Sequence, residues 1–578
     1  MASRNGPVHV ATITRRYKGK VYQTHLLRRS VRRGKKVLHE TLGNLSHLPQ
    51  PTIELIRRSL KGETFVSARE AFRVVRSLPQ GHVQAVLRMI RKLGLEELLA
   101  ARPSRQRDLV VAMLVERILF PCSKLGTTRH WQTTTLAEEL HVADANADAL
   151  YAALDWLLGR QPAIEAKLAK RHLREGDLVL YDVSSSYYEG RTCPLAKHGH
   201  DRDGKRGRRI IVYGALCDAE GRPVAVQVYP GNTADPTTVP DQVEKLRGRF
   251  GLSRIVLGGD RGMLTQTQIE HLKKHPGLGW ISSLRSTAIR GLLEDGLLHR
   301  SLFDETHLAE ISSPDFPGER LIACHNPLLA EERRRKREDL LEATEKDLRK
   351  LAAEVARRTR KRMGKTTIAL KAGRIVHRYK VAKHFELTIE DGTFSYRRNE
   401  ASIRREEQLD GIYVVRTSEP AGRLSADDTV RSYKSLAEVE QAFRGVKGLN
   451  LRLRPIWHRL ENRVRAHAFL CFLAYYVQWH LQRVWAPLLF AEENLWKLRQ
   501  RRDPVAKAKP SAAAKRKKQT KQTPNGLPVQ SFATLLESLG TRCRNTCQVL
   551  SDPAGATFTQ LTELDPLQTE AFRLLETL

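Results

Sequence analysis

The chain contains no run of eighteen apolar residues, the length a membrane-crossing helix needs. Arg, Lys and His interrupt its first thirty residues, where a secretory signal requires an unbroken apolar core. Both absences lead to the expectation of a soluble, cytosolic protein. Cysteine is scarce: seven in 578 residues, an odd number at scattered spacings, which suits reduced thiols and not a disulfide framework. Cys193 with His198 and His200, or Cys543 with Cys547, lack the second ligand pair of a zinc finger, so no zinc site is expected. Acidic side chains are in deficit, 64 Asp and Glu against 99 Lys and Arg, leaving a net charge of +35. In a chain that is otherwise globular in composition, with 41% apolar residues, this surplus points to a polyanionic partner, nucleic acid first.

A chain of this length exceeds what one hydrophobic core organises, so three or four structural units are expected. Residues 1–62 alternate in short runs ("VHVATITRRYKGKVYQTHLL") broken by RRYKGK and RRSVRRGKK, a basic β-rich segment suited to DNA-backbone contact or simply to a solvated sheet face. Helical periodicity takes over from 63 to 175. From 176 to 284, "DLVLYDV", "RRIIVYGALCD", "RPVAVQVYPG", "SRIVLGGD" and "LGWISSL" are short β-branched strands interleaved with helix-like segments, which describes an α/β layer. Residues 285–430 interrupt it as an insertion. There Leu341, Thr344, Leu348, Leu351 and Val355 form the seam of an amphipathic helix, and a β-rich half follows. The layer resumes at 431–490. Residues 491–530, rich in Pro, Ala and Lys, read as a disordered basic linker, and 531–578 as a helical tail.

Two acids close apolar strands: Asp182 in "LVLYDV" and Asp260 in "RIVLGGD", places where an α/β sheet offers functional groups to a ligand. A third, Glu440, comes from a helical stretch crowded with Lys434, Arg444, Lys447, Arg452 and Arg454. Carboxylates converging among cations suit Mg²⁺, which takes hard oxygen ligands and completes its shell with substrate phosphate. Two such ions about 4 Å apart activate the attacking oxygen and stabilise the departing one. Tyr433, Glu440 and Lys447 recur at intervals of seven and so share one helical stripe, a metal ligand flanked by a hydroxyl and an ammonium that can reach phosphate. An ordinary solvated helix accounts for this segment equally well. Asp201, Asp203, Asp218, Asp235 and Asp241 are the nearest alternative acids, in loops and turns. Trp457 and His458 read either as DNA contacts or as packing.

These segments resemble the DDE transposases of bacterial insertion sequences, specifically the IS-four superfamily and its sixteen-thirty-four-like branch. The superfamily signature Y-(2)-R-(3)-E-(6)-K fits Tyr433, Glu440 and Lys447, with Leu436 where arginine is expected and Arg444 the preferred substitute for that phosphate contact. The blocks "LVLYDVSSSYYEG", "VYPGNTADPTTV", "IVLGGDRGM" and "EQAFRGVKGLNLRLRPIWHRLENRVRAHAFLCFLAYY" carry the rest of the likeness. The resemblance implies an RNase H-like catalytic domain with a large insertion between the second and third acids. Asp182, Asp260 and Glu440 would bind two Mg²⁺ or Mn²⁺ ions; Tyr433, Arg444, Lys447, Arg452 and Arg454 would hold DNA phosphate. It further implies binding of terminal inverted repeats, end cleavage with an expected hairpin step, attack of the freed 3′ hydroxyl on target DNA, a homodimer in the DNA complex and residence in the bacterial cytosol. A metal-dependent nuclease of the same fold without strand transfer, and an inactive DNA-binding descendant, are the alternatives.

Overall fold

The computed structural model describes residues 6–34, 36–65, 71–304, 306–448, 450–550 and 555–577. The chain divides into two compact units, residues 1–77 with 544–561, and 78–543 with 562–578.

The first unit opens with a three-stranded antiparallel sheet, Val8–Tyr17, Lys20–Arg33 and Lys36–Asn44. Its first hairpin turns on Lys18 and Gly19, both at positive φ (48° and 76°), and Tyr17 pairs with Lys20. A two-residue loop with both centres left-handed matches the twist of the flanking strands. The helix Gln50–Ser59 follows and buries Ile53. Strand Phe72–Pro79 then forms a second sheet with Cys543–Val549 and Thr557–Leu561. This corrects two expectations: the 63–175 segment begins with a strand before its helices, and the 531–578 tail is helical only at its ends. Residues 66–70 and 551–554, which those segments include, lie outside the described residues.

The second unit is mixed α/β, built on one eight-stranded sheet. Its strands in chain order are β1 (Leu178–Tyr187), β2 (Ile210–Cys217), β3 (Pro223–Pro230), β4 (Ile255–Gly258), β5 (Leu278–Ser283), β6 (Leu308–Ile311), β7 (Arg320–His325) and β8 (Ile412–Thr417). Across the sheet they run β3-β2-β1-β4-β5-β8-β7-β6. The first three are antiparallel neighbours, β4 and β5 add parallel to β1, and β8, β7 and β6 extend the far edge antiparallel. The helices that position the site are α1 (Arg105–Leu119), α2 (Ala147–His172), α3 (Pro327–Arg357), α4 (Ala426–Lys434), α5 (Leu436–Lys447) and α6 (Glu461–Val484). α6 is apolar nearly all round and packs between α1, α2 and β3, joining the helical segment and the sheet in one core.

Residues 285–430 are therefore not a body apart from the sheet, as the sequence suggested. Their two ends supply β6, β7 and β8, and only the stretch from α3 to the helix Glu400–Glu407 projects. There the α3 seam, Leu341, Thr344, Leu348, Leu351 and Val355, is buried against the helix Lys365–Arg378 and the hairpin Phe385–Glu390/Thr393–Arg398. The expected disordered linker is also corrected. Residues 491–530 carry helices Leu495–Arg501 and Ala512–Thr520; Val505 is inserted beside Val430 and Ile322, and the Lys517 ammonium donates to the carbonyls of Ala486 and Ala491 at 2.8 and 2.9 Å. Single anchors of this kind leave no periodic mark in an Ala- and Lys-rich sequence. Among the described residues no helix is long and apolar enough to cross a membrane.

Candidate active site

Strand register brings the first two acids to one level. β1 pairs in parallel with β4 from Leu178↔Val256 to Leu180↔Gly258, so Asp182 and Asp260 each follow the last paired residue of their strand by two positions, at the same end of the sheet, and the charge of Asp260 acts on Asp182. Asp182 does not close its strand as expected: β1 continues to Tyr187 against β2, and it is β4 that stops at Gly258. The end of β4 uncovers one side of β1 at the level of Asp182. Beyond it the Asp260 carbonyl accepts from the amides of Met263 and Leu264 at 3.0 and 2.9 Å, which folds the chain into a turn and leaves the carboxylate exposed.

Alternation along β1 decides which face the first acid takes. Tyr181 sends its hydroxyl to Thr238 (2.9 Å) on one face. On the other, Ser186 bonds the Tyr213 hydroxyl at 2.7 Å, and the Tyr213 ring meets Phe443 of α5. Asp182 has the parity of Ser186 and so belongs to the face that α5 covers. Helix α5 lies there because Val439, Ala442, Phe443 and Val446 recur at helical spacing and are buried. Glu440 is carried on the adjoining stripe and remains exposed.

Asp182 lies within the fields of both other acids. Burial pushes the Asp182 carboxyl up from the ordinary aspartate value of 3.8 to about 7; the negative charges of Asp260 and Glu440 push the same way, while the Val183 amide (2.8 Å) and Arg202 oppose them. Tyr433 is turned toward the same place. Its hydroxyl is held by Ser283 of β5 at 2.7 Å, burial raises its pKa, and it feels Asp260, Arg261 and Glu440. As the side chains stand, no group of three or more His, Cys, Asp or Glu among the described residues is drawn tightly enough to hold a metal ion. Glu440 accepts instead from Arg444, one turn on, at 3.1 Å. The donor set nevertheless fits a hard divalent cation: carboxylate oxygens only, with no cation hydrogen-bonded to Asp182.

Residues 175–477, more than half of the chain, match the family described as Transposase DDE domain. Residues 10–71 match the IS1634 family transposase N-terminal domain. The chain belongs to the DDE transposases, in the IS1634 branch. No curated protein matches it. Among solved structures it is similar to a piggyBac transposase in a synaptic complex with hairpin DNA, at 10% identity and a TM-score of 0.35, over 80% of this chain and 76% of that one.

In the transposase, the helical stripe read from the sequence is divided. The helix breaks at Ser435, so Tyr433 belongs to α4 while Glu440 and Lys447 belong to α5. Lys447 does not present its ammonium to solvent: it is buried and donates to Asp203 Oδ1 at 2.9 Å, and Arg454 donates to the same oxygen at 2.5 Å. The other Asp203 oxygen accepts from the Tyr187 amide at 3.1 Å. The two cations expected to grip phosphate thus neutralise one buried acid that ties the end of β1 to the chain after α5. Leu436, in the position of the signature arginine, packs against the core, whereas Arg444 and Arg452 are exposed. Sequence reasoning gave Asp203 a lower rank and no role, because its partners lie 244 and 251 residues away. It missed Ser283 altogether, as well as the pair of Arg202 with Asp235 at 2.5 Å beside the first acid. Its only available signal for that pair was the "NTADPTTV" block.

Proposed function

We propose that the transposase binds the ends of an insertion sequence, cleaves DNA there by two-metal phosphodiester hydrolysis and joins the freed 3′ hydroxyls to target DNA as a homodimer. In this reading Asp182, Asp260 and Glu440 are the metal-binding acids of an RNase H-like domain. The strand order supports that fold, with three consecutive antiparallel strands and two more added parallel to the first. The observation that carries the proposal is the desolvated Asp182 carboxyl, burdened by Asp260 and Glu440 and bonded to no cation. A divalent ion held by these carboxylates would relieve that arrangement.

When bound, Mg²⁺ or Mn²⁺ supplies activation of the attacking oxygen and stabilisation of the departing one. The protein contributes geometry. β1 fixes Asp182, and the Val183 amide orients its Oδ1. Asp260 enters from the turn after β4. Glu440, exposed on α5 and paired with Arg444, would hold the metal as the third acid, with the Arg444 guanidinium beside it able to meet phosphate. The Tyr433 hydroxyl, anchored on Ser283, lines the same place.

The test uses purified protein, paired terminal-repeat DNA and Mg²⁺. Joined products are expected from the native chain. Asp260→Asn and Glu440→Gln are each expected to abolish cleavage while end binding stays within a few-fold, and normal cleavage by either variant removes that residue from the assignment. Cleaved but unjoined ends would favour a plain nuclease.

A further inference from the structure

Beside the end of β1 lies a cleft of about 750 Å³, walled by the residues after α1, the start of α6 and the chain between α5 and α6. Arg117, Lys124, Arg452, Arg459 and Arg463 line it, and among the described residues no acidic side chain does. Two of these cations are almost wholly buried, Arg117 at 5% exposure and Lys124 at 4%. Arg117 donates only to the carbonyls of Cys122 (3.2 Å) and Leu451 (3.5 Å), its Nε has no partner, and no carboxylate pairs with Lys124. Burial, then Arg117, lowers the Lys124 ammonium to about 7. Two basic groups side by side in a desolvated wall, with buried Glu116 acting on Arg117, favour an anion in the cleft, which would hold Lys124 in its charged form.

At its rim Trp457 is 60% exposed, although tryptophan is usually well buried. Its neighbour Ile456 runs parallel to Tyr188, with the Glu189 amide donating to the Ile456 carbonyl at 3.0 Å, so the rim continues the line of β1. Tyr187 is five residues beyond Asp182, which places this region about 17 Å along the strand from the first acid.

Resting on the transposase reading, we propose that this cleft binds an unpaired DNA strand, its phosphate on Lys124, Arg117 and the rim arginines and a base stacked on Trp457. An unpaired strand is favoured over a duplex because the base faces within a duplex are already stacked, so an exposed indole beside anion-seeking groups has a partner only where a base is free. Neither the family signature nor the three acids enter this argument.

The experiment measures fluorescence anisotropy of a labelled single-stranded oligonucleotide and of a blunt duplex, in EDTA so that no cleavage intervenes. Trp457→Ala is expected to weaken strand binding about 5- to 100-fold and duplex binding by less than twofold, with Trp457→Phe largely restoring it. Arg452→Asn with Arg459→Gln is expected to flatten the dependence of log affinity on log salt by about 1.4 for the single strand, two phosphate contacts at ~0.7 each. The substituted residues are exposed, so folding is not at stake. Equal loss on strand and duplex, unchanged affinity in Trp457→Ala, or competition by millimolar inorganic phosphate without any tryptophan effect would each overturn the proposal. Failure here leaves the cleavage reading intact, since that is decided by the acid variants and joined products.

Discussion

Replacing Asp182 by asparagine is expected to stabilise the metal-free protein at pH 8. The carboxyl's proton affinity is raised by folding, from 3.8 to about 7, so between those values the folded state holds a proton that the unfolded state releases. Stability therefore falls as pH rises from about 4 to 7, and above 7 the full cost of the ionised, crowded carboxylate is present. At about 1.4 kcal/mol per tenfold change in proton affinity, the displacement corresponds to at most about 4 kcal/mol. Partial exposure of the group and screening of Asp260 and Glu440 by salt reduce this to about 1–2 kcal/mol. Asparagine keeps the shape and removes the charge. Calorimetry in EDTA at pH 8 is expected to show Asp182→Asn melting above the native chain, with the difference shrinking as pH falls and vanishing below about pH 4. Millimolar Mg²⁺ is expected to reverse the order by stabilising only the native chain. An asparagine variant that is neutral or less stable in EDTA at pH 8, together with no Mg²⁺ response in the native chain, would refute the claim that Asp182 is held as an ionised ligand awaiting a cation.

Lys447→Ala leaves buried Asp203 with Arg454 as its one cationic partner, and is expected to cost about 2–4 kcal/mol in urea denaturation; a change below ~0.5 kcal/mol would return Lys447 to the role of a free phosphate contact. Tyr433→Phe removes the hydrogen bond to Ser283, about 1 kcal/mol of stability, and is expected to lower cleavage without weakening end binding, read as product formation against gel-shift affinity. Cleavage is also expected to fall as pH drops below about 7, because protonation of Asp182 competes with the metal; raising Mg²⁺ tenfold is expected to move that midpoint to lower pH, and a midpoint indifferent to Mg²⁺ would contradict the competition.

The elements that carry the candidate site were legible in the residues themselves. The apolar strand that carries Asp182, the one that ends just before Asp260, and the helices that carry Tyr433, Glu440 and Lys447 follow from local periodicity, which acts over a few residues. The α3 seam was equally visible, because helical spacing alone decides which side chains can be buried together. Register, neutralisation and packing were not. That β4 stops at Gly258, opposite Leu180, and so opens β1 at Asp182 is a property of two strands more than 70 residues apart. That Lys447 and Arg454 neutralise Asp203, and that β7 and β8 extend the sheet from β5, depend on contacts across greater separations. Val505 and Lys517 fall in the segment that reads as a disordered linker because composition averages over a segment, whereas burial is decided by one side chain meeting one gap. The sequence by itself determined which residues could carry the chemistry; only the tertiary structure decided which charges meet, because electrostatic and packing energies depend on distance in space and not on separation along the chain.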